Sequence, residues 1–81
     1  MKYIFTPSAE DDFYRLARLD RKRIAEKMRY YASQPNPLDH AERLTDSHEY
    51  RFRIGDYRVI FEILHGTLWI NAIKRRDEAY R

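Results

Sequence analysis

The chain has no cysteine and only two glycines and three prolines in 81 residues. Without thiols there can be no disulfide staple, no thiolate metal site and no cysteine nucleophile. Small secreted domains usually need such staples, so this fold must rest on a hydrophobic core close to the lower size limit for one. Few glycines and prolines also leave few places to turn the chain sharply. No apolar run approaches the roughly 20 residues of a membrane-spanning helix. The opening Met1-Lys2-Tyr3-Ile4-Phe5 lacks the apolar centre of a signal peptide. A cytoplasmic protein with no membrane partner is expected. Lysine is scarce too, with twelve of the sixteen cations being arginines. The planar guanidinium fork matches phosphate and carboxylate, whereas lysine serves solubility more simply.

Hydrophobic residues make up 43% of the chain, enough for one core. Thirteen acids nearly balance the cations and leave a net charge of +3. That balance fits either a well-solvated surface or a surface that meets a polyanion. There is no repeat, linker or low-complexity tract, so residues 1–81 read as a single domain. The three histidines, His40, His48 and His65, are not at ligand spacing, and neither a metal nor another cofactor is expected.

Lys2 to Thr6 reads as a short strand closed by Pro7. Ser8-Ala9-Glu10-Asp11 has the form of a capping box opening a helix, with an apolar stripe of Ala9, Phe13, Leu16 and Ala17. Asp20 is the expected N-cap of a second helix, whose stripe is Ile24, Met28, Tyr31 and Ala32. Gln34-Pro35-Asn36-Pro37 ends it, since proline cannot continue a helix. Beyond lie three runs rich in β-branched and aromatic residues, Tyr50 to Ile54, Tyr57 to Leu64 and Thr67 to Ile73. Gly55-Asp56 and His65-Gly66 are short enough to be two-residue hairpin turns. Lys74 to Arg81 is left as a tail with room for a helical turn. The expected class is α+β: a strand, a helical hairpin and a three-stranded antiparallel meander, with the helices on one face of the sheet.

A two-residue turn at Gly55-Asp56 sets Ile54 against Tyr57, Arg53 against Arg58 and Phe52 against Val59. Side chains alternate, so Tyr50, Phe52, Ile54, Tyr57, Val59, Phe61 and Ile63 share the face that covers the helices. Glu49, Arg51, Arg53, Arg58, Ile60 and Glu62 share the other. Two arginines directly opposite each other repel, and Arg51 adds a third charge on the diagonal. Glu49 and Glu62 are available to neutralise them by cross-strand pairing, or the cluster is an anion site where a phosphate removes the repulsion. Lys74, Arg75, Arg76 and Tyr80 follow beside that face, and a helical turn would point Arg76 and Tyr80 the same way. Arg21-Lys22-Arg23 oppose the dipole at the start of the second helix. They are either a solvated end or a contact to distant phosphates.

The run Tyr50-Arg51-Phe52-Arg53-Ile54-Gly55-Asp56-Tyr57-Arg58-Val59-Ile60-Phe61-Glu62-Ile63 resembles the central hairpin of RelE/ParE-superfamily toxins from toxin–antitoxin pairs. Arg75-Arg76-Asp77-Glu78-Ala79-Tyr80 resembles that family's terminal His-Arg-x-x-x-Tyr pattern, with Arg75 where histidine is usual. The opening strand, the Pro7-Ser8-Ala9 helix entry and the length also fit. The resemblance implies a toxin neutralised by a cognate antitoxin. RelE-like members cut messenger RNA in the ribosomal decoding site and so stop translation; ParE-like members poison DNA gyrase. The Arg76…Tyr80 pair favours the endoribonuclease branch, with ParE-like gyrase poisoning as the alternative.

By position, the resemblance implies that Arg58 and Arg76, both expected to be exposed, hold the scissile phosphate and stabilise its developing charge. Arg51 matches a position that is often basic in RNA-cutting members, and Tyr80 a tyrosine that orients the nucleotide or moves a proton. Arg53, Lys74 and Arg75 would add RNA contacts. Arginine stays protonated and cannot serve as the base, so lysine-based proton transfer does not carry over. Glu42-Arg43-Leu44 resembles the glutamate-bearing segment of YoeB-like relatives, making Glu42 the candidate base and Glu49 the runner-up. His48 is a candidate acid.

Overall fold

A computed structural model describes residues 1–76. Strand β1 (Lys2–Phe5) leads into helices α1 (Pro7–Tyr14) and α2 (Arg18–Ser33). A 3-10 turn at Pro37–His40 and a two-residue strand β2 (Glu42–Arg43) precede the meander β3 (Tyr50–Ile54), β4 (Tyr57–Leu64) and β5 (Thr67–Arg75). Among the described residues no helix is long and apolar enough to cross a membrane.

The α+β class and the meander are as the sequence leads one to expect, but the sheet is larger. It has five strands in the order β1-β5-β4-β3-β2. β1 lies parallel to β5, with Lys2 opposite Thr67 and Phe5 opposite Ile70. β2 closes the other edge, with Glu42 opposite Arg51.

The helix starts differ from expectation. α1 begins at Pro7, and Thr6, not Ser8, is its cap, accepting the Ala9 N–H at 3.2 Å. Proline suits the first helical position, where its missing N–H costs nothing, and the hydroxyl just before it is placed to cap. α2 begins at Arg18 without a side-chain cap. Asp20 sits in its first turn and accepts the Tyr57 hydroxyl at 3.0 Å. The joint between the helices is fastened by Arg21, whose Nη1 donates to the Leu16 carbonyl at 2.7 Å. β5 also runs on to Arg75, so Lys74 and Arg75 belong to a strand and not to a helical tail.

Both hairpin turns contain two residues. Gly55 has φ of +59°, and a Cβ there would meet Arg23 Nη1 at 2.9 Å. The left-handed backbone favours glycine there, whereas the Arg23 guanidinium, at the end of a flexible side chain, could move aside for a Cβ. His65 and Gly66 are both at positive φ, 51° and 75°, the signature of a type I′ turn.

The core lies between the helices and one sheet face. Ile24 and Met28 of α2 meet Phe52, Val59, Phe61, Leu68 and Ile70, all at 0% exposure. Tyr31 stacks on Phe52 at 4.4 Å, and Phe52 on Phe61 at 4.2 Å. Each such side chain contributes about 1.5–3 kcal/mol of burial. Past Ile70, where β1 ends, Asp12 of α1 covers the bare edge of β5 by accepting the Ile73 N–H at 3.0 Å.

Candidate functional site

The face of the sheet away from the helices carries the cations in rows set by strand register. Arg53 on β3 is opposite Arg58 on β4, as the turn length dictates, and Arg58 is opposite Lys74 on β5. Neighbouring Cβ atoms in such a row are about 5 Å apart. Three cations thus stand side by side, nearest the Gly55 turn.

A β-bulge makes this row possible. Phe61 pairs with Ile70 but Ile60 pairs with Ala72, so Asn71 is an extra residue in β5. Before it, Leu68 and Ile70 point into the core; after it, Ile73 does. The shift turns Lys74 to the open face and Arg75 to the helix side, opposite Tyr57. Arg75 there borders a small cleft of about 160 Å³ with Asp12, Arg15, Leu16, Tyr57 and Ile73. The structure therefore separates Arg75 from Lys74, Arg53 and Arg58.

Arg58 corrects a second expectation. It was expected to be exposed, yet only 2% of it is accessible. It is not a free cation. So little contact with water leaves the field of its guanidinium less screened than that of an exposed arginine.

The next row holds Ala72, Ile60, Arg51 and Glu42 across β5, β4, β3 and β2. Glu42 grips two arginines: Arg53 Nε lies 2.6 Å from its Oε1, and Arg51 Nη2 lies 3.0 Å from its Oε2. Arg53 Nη2 adds a contact to Oε2 at 3.3 Å. The hydrogen bond from Arg51, aided by the charge of Arg53, holds the Glu42 carboxyl below the usual carboxylate range. Glu42 thus pairs with Arg51 and Arg53, whereas Glu49 and Glu62, the two acids that alternation makes available for cross-strand pairing, have other partners. Glu49 instead accepts the Asn71 amide at 2.8 Å, and Glu62 pairs with His48 at 2.8 Å.

Arg76 follows β5 directly, and its N–H donates to the Asp56 carbonyl at 2.7 Å. That bond anchors it to the Gly55–Asp56 turn, at the cationic end of the sheet. Tyr80 lies outside the described residues. His48 is 83% exposed and belongs to the far end. Its partner Glu62 is four residues from Arg58 along β4, roughly 13 Å at strand rise, too far for both ends to grip one phosphate. Of the first-helix-turn cations, Arg21 fastens the helices and Arg23 covers Gly55, so both have structural work. Trp69 and Asn71 also reach the open face, and no motif in the sequence singled them out; for Asn71 only the bulge does so.

By fold, the chain is similar to the isolated E. coli RelE toxin, at 14% identity and a TM-score of 0.77 over 98% of this chain and 89% of that one. It is also similar to the RelB–RelE antitoxin–toxin complex from Methanococcus jannaschii, at 24% identity and a TM-score of 0.73 over 95% and 94%. The YoeB–YefM complex from Staphylococcus aureus gives 19% identity and a TM-score of 0.73 over 91% and 94%. No curated protein matches by sequence. Residues 3–80 match the family model described as the ParE toxin of type II toxin–antitoxin systems. With nearly the whole length matched and a RelE-like fold beneath it, the chain belongs to the ParE toxin family of the RelE/ParE superfamily.

Proposed function

We propose that this toxin is an endoribonuclease that cuts messenger RNA in the ribosomal decoding site. The observation that supports this is the row Arg53, Arg58 and Lys74 on the sheet face away from α1 and α2, with Arg51 one row away and Arg76 at its end. Cations aligned in this way can offer several charge-assisted hydrogen bonds to one phosphodiester.

Cleavage starts with loss of a proton from a 2′-hydroxyl, whose oxygen attacks the neighbouring phosphorus. The products are a 2′,3′-cyclic phosphate and a free 5′-hydroxyl. Arg58 and Arg76 stabilise the charge that builds on the phosphoryl oxygens, and the burial of Arg58 supplies the preorganisation that makes a donor effective. Losing one such donor costs about 3–4 kcal/mol in the transition state.

Glu42 is the proposed base. In the free protein its arginine partners keep it ionised but weakly basic. A phosphate that draws Arg51 and Arg53 away removes those partners and adds a negative charge, and both changes raise the Glu42 pKa. The base is thus strengthened by the substrate it acts on. Tyr80 is proposed to orient the nucleotide or carry a proton.

The proposed partner is a cognate antitoxin, in line with the antitoxin–toxin complexes among the similar structures. An acidic segment would mask the arginine row. Tyr14, Leu19 and Tyr30, at 66%, 78% and 51% exposure, offer apolar anchors on the helices. This reading calls for a cytoplasmic protein. The test is a translation reaction with added toxin and mapping of mRNA 5′ ends. New ends inside codons support the reading, and intact mRNA in the presence of the toxin rejects it.

The family model's description as a ParE toxin favours a second reading, a toxin that acts on DNA gyrase without nuclease activity. Glu42 and Tyr80 would then be dispensable for toxicity. A supercoiling assay with purified gyrase separates the two.

A further inference from the structure

Towards the β4–β5 turn the open face changes character. Trp69 stands between Glu62 on β4 and Ile4 on β1. Its neighbours Leu68 and Ile70 are fully buried beneath the helices, so alternation turns the indole to the uncovered side, where it is partly exposed. Trp69 belongs neither to the buried core nor to the side chains packed on it.

Two carboxylates stand near it in fixed orientation. The amide of Asn71, put out of phase by the bulge, reaches over β4 to Glu49 Oε2 at 2.8 Å. Glu62 Oε2 lies 2.8 Å from His48 Nε2. In each glutamate one carboxylate oxygen is engaged by a neighbour, Oε2 of Glu49 by Asn71 and Oε2 of Glu62 by His48, and a carboxylate has lone pairs to accept further donors. Phosphate is repelled here, whereas a nucleobase is suited twice over: its flat face stacks on an indole, and its edge supplies N–H donors.

We infer that this end of the sheet is a base-reading subsite for single-stranded RNA, with Trp69 as the stacking platform and Glu49 and Glu62 as the acceptors that select guanine. Guanine presents adjacent ring and amino N–H donors on its pairing edge, while uracil would set carbonyls against the carboxylates. The inference rests on the RNA-cutting reading above. Arg58 and Glu62 are roughly 13 Å apart along β4, so the base read here belongs to a nucleotide flanking the one held at the arginine row. A cationic protein segment is the rival occupant. Continuity with the phosphate-suited row and a flat aromatic surface favour RNA.

The experiment compares wild type, Trp69→Ala, Trp69→Phe and Glu62→Gln in translation reactions on a randomised mRNA pool, with 5′ ends mapped and folding checked by circular dichroism. Wild type should cut with guanine enriched at one fixed position flanking the cut. Trp69→Ala and Glu62→Gln should still cut but lose that enrichment several-fold, while Trp69→Phe, which keeps a stacking face, retains most of it. Cutting with equal enrichment in every variant overturns this inference alone, as does a defect confined to antitoxin binding in a pull-down. A wild-type chain that does not cut overturns the RNA-cutting reading and this inference with it.

Discussion

The two faces of the central hairpin are built from alternating residues of the same strands, yet they obey different rules. On the helix side, Phe52, Val59 and Phe61 are buried because apolar surface leaves water there. On the side away from α1 and α2, Arg58 is almost as buried. The first face is explained by folding alone. The second sets Arg53, Arg58 and Lys74 side by side and holds Arg53 and Arg51 on Glu42, an arrangement that burial of apolar surface does not explain.

The comparison breaks hardest on the covered face. Phe61→Ala removes a ring stacked on Phe52 and should cost about 3–5 kcal/mol, enough to unfold much of a small domain; urea denaturation reads this directly. A wild-type midpoint would mean that the stack does not hold the fold.

Arg58 and Arg76 sharpen the comparison next. Both Arg58→Ala and Arg76→Ala should lower mRNA cutting by on the order of hundreds-fold. Only Arg58→Ala should also lower Tm, because its side chain is buried whereas Arg76 is exposed. Cutting rates paired with thermal melts distinguish the two, and equal melts would mean that Arg58 is not structurally engaged.

Glu42 should show a smaller effect on the fold and a clear one on chemistry. Its folded pKa is depressed, so its pairing with Arg51 and Arg53 is present above the ordinary carboxylate pKa and fades as pH falls through the lowered value. Glu42→Gln should leave Tm near wild type at pH 7, flatten the acid side of the stability profile and slow cutting sharply. Carbon NMR of the wild-type carboxyl should show its midpoint move upward when an oligonucleotide binds. An unmoved midpoint would remove the proposed strengthening of the base.

The mildest change is Tyr57→Phe. It deletes the hydroxyl that donates to Asp20 and should cost about 0.5–1.5 kcal/mol. Burial, then the Asp20 hydrogen bond, raise the Tyr57 pKa above the usual tyrosine value. Its contribution is therefore present below the unfolded pKa and lost as pH rises through the folded one. Ultraviolet titration of the phenol checks the direction.

Much of this was legible in the residues. Alternation and the Gly55-Asp56 turn fix the Arg53–Arg58 pairing, because a two-residue turn admits only one register. The stripe Ile24, Met28 and Ala32 marked the buried side of α2. The place of β1 beside β5 was not legible, since a strand's pattern specifies its face but not its neighbour. β2 is too short to show any period. The helix starts were misread because Pro7 takes the first helical position and makes Thr6 the cap in place of Ser8, while α2 starts at Arg18 with no capping side chain to mark it. The burial of Arg58 could not be read at all, since alternation assigns a side chain to a face of the sheet and not to a depth.

The extra residue in β5 acts as a parity switch. Odd-numbered residues such as Trp69 face outward before it and even-numbered ones such as Lys74 after it. A substitution at Asn71 would leave that phase intact, but deleting it would exchange the neighbours, sending Lys74 inward and Arg75 outward. One unit of chain length, carrying no charge of its own, thus decides which cation each side of the sheet receives.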